Sequence, residues 1–156
     1  MARPSVHERA TILGQLIQIQ TGDQFNLNKL NIGQINICSL KNKMDEVKIM
    51  LETNQFDILT VCETHLSKKI GNRQPQVDGY PTIRRDRPDG RRGGGMVVFV
   101  LETLTAVHLK HLDHEKIAAI WLRIVTKSSS VTIGSFYRLP DNTAFFEDIV
   151  IPIEKA

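Results

Sequence analysis

The chain has little of several things, and each scarcity excludes a class. It carries two cysteines in 156 residues, Cys38 and Cys62. Two do not build a disulfide framework, so both are expected as reduced thiols of a nuclear or cytoplasmic protein rather than a secreted one. Each reads most simply as a small buried apolar side chain at a strand end. The apolar run Met96 to Leu101, which no other purely apolar run exceeds, is far too short to span a bilayer, so no membrane association is expected. The opening segment MARPSVHERATILGQLIQIQ has only a short apolar patch, Ile12 to Ile19, broken by Gln15 and Gln18. It lacks the apolar core and cleavage site of a signal peptide. No internal repeat or low-complexity tract is visible. Net charge is also small: it is formally +3, compatible with a polyanionic partner without requiring one.

What remains is an ordinary globular composition, 41% hydrophobic and 24% charged, at a length that suits one domain with a real core. Organisation is clearest in LNIGQINICSLKNKMDEVKIMLETNQFDILTVCE, Leu30 to Glu63. A half-alternating apolar run, Leu30–Ile37, reads as a strand. Met44, Val47, Met50 and Leu51 recur at helical spacing over about Lys43–Thr53. Asn42 is the expected N-cap, Asp45 and Glu46 lie in the first turn, and Asn54 is the expected stop. Phe56–Cys62 then reads as a strand buried on both faces. Strand, helix, strand implies a parallel pair with a right-handed crossover. Ligands of open parallel sheets gather beyond the carboxyl ends of the strands. Asn36 and Glu63 are therefore expected on one rim, as oxygen ligands for a hard cation such as Mg²⁺. By itself, Glu63 also fits a solvated strand end, Asn36 a turn residue and Tyr137 a half-buried sheet-edge aromatic.

Further strands are expected at Tyr80–Arg84, Met96–Leu101, Thr105–Leu109 (an edge), Ile117–Thr126 and Val131–Tyr137, the last two as an antiparallel hairpin. A helix is expected at Phe145–Ile153, interrupted by Pro152. Residues 1–28 differ in character and are read as an unassigned appendage. Within it Leu13, Leu16, Ile17 and Ile19 suggest a short helix ended by Gly22 and Asp23. Residues 29–156 form the expected domain. RRDRPDGRRGGG places Arg84, Arg85, Arg87, Arg91 and Arg92 in one loop, either gripping DNA phosphates or paired with Asp86 and Asp89. Gly93-Gly94-Gly95 lacks a Walker lysine and reads as a tight turn into a strand. His108, His111 and His114 are three apart but fall on a strand end and loop, a weak arrangement for zinc.

Five pieces in order, INICSLKNKMDEVK, FDILTVCETHL, VDGYPTIRRDRPDGRRGGGMVVFV, IAAIWLRI and VTIGSFYRLP, resemble the endonuclease/exonuclease/phosphatase superfamily. Within it they look most like the apurinic-endonuclease-like domain of non-LTR retrotransposons. The resemblance covers about residues 30–140 and only the earlier part of that domain. It implies an α/β fold: part of a four-layer sandwich of two mixed sheets flanked by helices, truncated before its C-terminal half. It implies that Asn36 lies near the metal and scissile phosphate, that Glu63 binds Mg²⁺, and that Tyr137 contacts the phosphate. The implied activity is Mg²⁺-dependent phosphodiester hydrolysis nicking DNA. The implied partner is DNA, held weakly and non-specifically by a monomer with no cofactor besides the metal.

The sequence departs from the family in several places. The later Asp-x-Asn and Ser-Asp-His segments do not occur, and Asp141-Asn142 lacks the intervening residue. His65 stands where the family usually has Trp, Ala118 where it has Glu, and Leu139 where it has Pro. The expectation is therefore a truncated, inactive copy. A non-catalytic DNA- or protein-binding remnant and a phosphatase of phosphoinositides or small phosphoesters are the alternatives. Half a sandwich would leave the inward faces of Leu30–Ile37, Phe56–Cys62 and Val131–Tyr137 partly open to water, which predicts marginal stability.

Overall fold

The protein was studied as a computed structural model, which describes residues 16–21, 30–53, 56–67, 75–87, 93–113, 118–126 and 129–138. Eight strands, one α-helix and one 3₁₀ turn occur among them, in the order β1 (Leu16–Thr21), β2 (Ile32–Asn36), α1 (Met44–Glu52), β3 (Ile58–Cys62), β4 (Thr82–Arg85), β5 (Met96–Val100), β6 (Thr105–His108), the 3₁₀ turn Lys110–Leu112, β7 (Ala118–Val125) and β8 (Ser130–Tyr137). They make two four-stranded sheets, ordered β2-β3-β5-β4 and β1-β8-β7-β6. The first is mixed, because the crossover through α1 leaves β2 parallel to β3 with Asn36 level with Cys62. The second is antiparallel throughout. This is the α/β, two-sheet arrangement that the resemblance implied.

The period of two decides which residues meet between the sheets. Ile58 and Cys62 of β3, Met96, Val98 and Val100 of β5, Ala118, Ile120, Leu122 and Ile124 of β7, and Val131 and Ile133 of β8 form one buried cluster. The alternate residues Leu59, Val61, Val97 and Phe99 point the other way. They pack with Val47 and Leu51 of α1 and with Tyr80. β3 and β5 are thus apolar at almost every position because each of their faces has a cover. At the one polar position of β3, Thr60 Oγ1 lies 2.8 Å from Ser135 Oγ, a buried hydrogen bond that ties the two sheets together. The Tyr80 hydroxyl donates to the Leu51 and Phe56 carbonyls at 3.1 and 3.0 Å, fixing the end of α1 against the start of β3.

Four expectations need correction. Leu16, Ile17 and Ile19 do not make a helix, and Leu13 lies outside the described residues. Leu16–Thr21 is a strand, antiparallel to β8 in a six-residue register from Leu16↔Ser135 to Thr21↔Ser130. The second point concerns the inward faces: two sheets occur among the described residues, and β3 and β8 do not lie open, while Ile32 and Ile35 of β2 stay partly exposed. Ile58 and Val131 have no exposure, and Ile133 has 1%. The exposure expected of β3 and β8 is therefore absent. Asn42 does not cap α1: the cap position is Lys43, with no side-chain cap hydrogen bond, because the chain turns at Leu40–Lys43. Lys43 instead sends its ammonium to the Ile37 carbonyl at 2.6 Å. Finally, Cys38 is exposed, while Cys62 is buried as expected, and both are free. Asn54 and the segment expected as the helix Phe145–Ile153 lie outside the described residues.

Candidate metal and phosphate site

The ends of β2 and β3 build a rim. Backbone pairing runs past both strands: Ile37 N–H donates to the Cys62 carbonyl at 3.0 Å, Ser39 to Glu63 at 2.7 Å and Leu40 to Thr64 at 3.0 Å. On the other side Thr64 and His65 N–H donate to the Gly95 and Gly94 carbonyls at 3.3 and 2.9 Å. Three loops are thereby stitched together, those after β2, after β3 and before β5. The four non-glycine residues with positive φ among the described residues all lie here: Cys38 (49°), Ser39 (90°), Glu63 (54°) and His65 (54°). Such conformations cost about 1–3 kcal/mol each and cluster at functional sites. Gly95 is required where it stands. Its φ is +82°, and a Cβ there would come within 2.7 Å of Thr64 Oγ1.

Asn36, Glu63 and Tyr137 come together at this rim. The Tyr137 hydroxyl donates to Glu63 Oε1. Asn36 Oδ1 accepts the Cys38 N–H at 3.2 Å. The Tyr137 hydrogen bond is the main cause that holds the Glu63 carboxyl below the usual carboxylate range, against the opposing effect of burial. Asn36 and then His65 add smaller contributions in the same direction. Tyr137 is pushed above the usual phenol range, first by burial and then by its bond to Glu63. Both shifts favour a carboxylate beside a neutral phenol at neutral pH. A carboxylate oxygen and a side-chain amide oxygen at one rim are the donor types that suit a hard cation.

The arginine loop divides. Arg84 lies against Asp86, with Nε to Oδ1 at 2.5 Å and Nη2 to Oδ2 at 2.8 Å, and also donates to the Ser67 carbonyl at 2.6 Å. Arg85 pairs with Asp113 at 3.1 Å. Pairing with the loop's own acids, one of the two readings of the loop, therefore holds for Arg84, while the partner of Arg85 comes from outside the loop. Arg87 is near enough to the rim for its charge to oppose the rise at Tyr137. Arg91 and Arg92 lie outside the described residues. His108 Nε2 lies 3.4 Å from Asp113 Oδ1 and His111 is exposed, while His114 lies outside the described residues. Gly93–Gly95 all hold positive φ as they lead into β5.

Sequence reasoning missed the grouping of Cys38 and His65 with Glu63. One ligand-type atom from each lies within 4.8 Å of the others. The signal was available in the register: Asn36 is level with Cys62 in the parallel pair, so Cys38, two residues past β2, borders Glu63 and His65, one and three residues past β3.

No protein-family model matches the chain. A curated relative, the RNA-directed DNA polymerase from mobile element jockey of Drosophila melanogaster, is 24% identical over 119 residues. That match takes in 76% of this chain and 13% of the relative. Among solved structures, the endonuclease domain of TRAS1, a telomere-specific non-LTR retrotransposon, superposes with a TM-score of 0.56 at 19% identity, over 80% of this chain and 52% of that one. AP endonuclease LMAP from Leishmania major gives 0.59 at 13% identity, over 98% and 53%. The 3'-5' exonuclease NExo from Neisseria meningitidis gives 0.55 at 14%, over 80% and 51%. The fold is that of the endonuclease/exonuclease/phosphatase proteins, and the chain spans about half the length of these structures. No helix among the described residues is long and apolar enough to cross a membrane.

Proposed function

We propose that this rim is part of a Mg²⁺-dependent phosphodiester-hydrolysing site of the nuclease type, with DNA as its substrate class. The observation that carries the reading is the Glu63 carboxylate, held by the Tyr137 hydroxyl beside Asn36 at the carboxyl ends of two parallel strands. Glu63 and Asn36 would hold the metal. When bound, Mg²⁺ supplies positive charge to a phosphoryl oxygen. Glu63 enters that role already ionised, because its hydrogen bonds favour the charged form. Tyr137 gives its one proton to Glu63, so its first task is to fix the carboxylate. An incoming phosphate would compete for that proton. The charges of Arg87, Arg91 and Arg92 would draw the sugar–phosphate backbone to the rim non-specifically. The polypeptide is expected to act as a monomer within the nucleus or cytoplasm.

The 156 residues contain no Asp-x-Asn or Ser-Asp-His segment to activate water. Removing a general base costs about 10²–10⁴-fold, so this chain alone is expected to bind without nicking. Calorimetric titration with Mg²⁺ tests the metal half. Weak heats that vanish in Glu63→Gln support the reading, and equal heats in the two proteins remove Glu63 from the site. Incubation with supercoiled plasmid tests the rest. Nicking that Glu63→Gln abolishes would show a complete site and overturn the expected inactivity.

A further inference from the structure

We propose that Cys38, Glu63 and His65 form a three-ligand site for Zn²⁺, with a fourth position open to solvent. The donor set is a sulfur, an imidazole nitrogen and a carboxylate oxygen, all within 4.8 Å of one another. Soft and borderline ligands of this kind select zinc over magnesium, which takes oxygen alone. Tetrahedral zinc, with bonds of about 2.0–2.3 Å, sets neighbouring donors about 3.3–3.6 Å apart. His65 Nε2 and Glu63 Oε2 are already 3.6 Å apart, longer than a good hydrogen bond and close to that ligand spacing. Tyr137 occupies the other carboxylate oxygen, Oε1, and so leaves Oε2 directed to the imidazole.

Two further features support the assignment. The three ligands are three of the four non-glycine residues with positive φ among the described residues, at 49°, 54° and 54°. Strained backbone of this kind clusters at ligand clamps, and the loop hydrogen bonds between residues 37–40, 62–65 and 94–95 hold it in place. The site is also accessible. Cys38 is exposed and the side chains of His65 and Glu63 are 33% and 24% exposed, so an ion can reach all three. Coordination replaces the S–H bond of Cys38 with an S–Zn bond and releases that proton to solvent.

The test titrates the full chain with Co²⁺ in a non-thiol reductant, then adds Zn²⁺ or Mg²⁺. The expected result is a near-ultraviolet sulfur-to-cobalt band that Zn²⁺ abolishes and Mg²⁺ does not. Cys38→Ser should lose the band and Cys62→Ala should keep it. Zinc affinity should fall at least about 10–100-fold in Cys38→Ser and in His65→Ala, the loss known from removing a group that merely orients a ligand. A band that survives Cys38→Ser, or zinc affinity unchanged in His65→Ala, overturns the proposal. The Mg²⁺ reading separates cleanly, because Cys38→Ser should leave the Mg²⁺ heats intact. No zinc binding with intact Mg²⁺ heats overturns this inference alone. Zinc binding without Mg²⁺ heats overturns only the magnesium reading.

Discussion

One peptide bond separates two regions built on opposite rules. Cys62 ends β3 at 1% exposure, packed against Met96 and the sheet opposite, and burial pushes its thiol up to about 12. Glu63, the next residue, has a φ of 54° and a carboxyl held below its usual range. On the core side, local preference and packing agree: β-branched and aromatic residues, extended backbone, no charge. On the rim side they conflict, with left-handed backbone at residues that dislike it and an ionised group partly withdrawn from water. The core supplies the stability that the rim uses, and the rim holds the chemistry. Substitutions in the two regions should therefore separate stability from binding.

The largest expected effect is in the core. Phe99 of β5 has no exposure and packs with Leu59, Val61 and the buried face of α1. Phe99→Ala should destabilise by about 3–5 kcal/mol, from lost burial and the cavity left behind. Urea unfolding measures it. A loss below about 1 kcal/mol would mean that the outer face of this sheet is not a true core. Glu63→Gln, one residue beyond β3, should lower the urea midpoint far less than Phe99→Ala while removing metal binding.

The junction between the sheets comes next. Thr60→Val leaves the Ser135 hydroxyl buried without its partner, which costs about 1–3 kcal/mol. Adding Ser135→Ala should recover most of that loss, because a matched apolar pair replaces a matched polar one. A double variant as unstable as the sum of the single ones would show that the two hydroxyls act independently.

These particular residues also show what was legible in the sequence. β3 and β5 were readable because burial on both faces writes a continuous apolar run. β7 and β8 were readable because a hairpin writes a short break between two such runs. β1 was misread: LIQIQT alternates as a strand does, but Leu13, Leu16 and Ile17 also fit a helical stripe. Only its partner β8, more than a hundred residues away, decides between them. Asn36, Glu63 and Tyr137 came from the motif resemblance, and parallel-strand topology independently predicted the shared rim of the first two. Cys38 and His65 carried no periodic signal, since loop residues join a site through register and backbone strain rather than through pattern.

A smaller effect lies in the titration of Glu63. Its folded pKa is depressed, so the stability it contributes is present above the unfolded value of about 4.3 and is lost as pH falls through the folded value. Tyr137→Phe removes the largest cause of the depression. The Glu63 carboxyl should then titrate at higher pH, which carbon-13 NMR of the side chain can follow, and acid unfolding should begin earlier. An unmoved Glu63 titration would mean that Asn36 and His65, not Tyr137, hold the carboxylate.

The smallest effect tests strain on the rim itself. Cys38 is exposed with a φ of 49°, where a side chain costs about 1–2 kcal/mol relative to ordinary backbone. Glycine escapes that penalty but loses about 0.5–1 kcal/mol more chain entropy on folding. Cys38→Gly should thus stabilise the protein by up to about 1.5 kcal/mol. Cys38→Ser, which keeps a Cβ, should leave stability unchanged. The sign matters more than the size. A core position loses stability when its side chain is removed, and this position should gain it while losing the sulfur that the zinc site needs. Destabilisation of Cys38→Gly by 1 kcal/mol or more would place Cys38 among the packing residues and erase the boundary between the two regions at the end of β2.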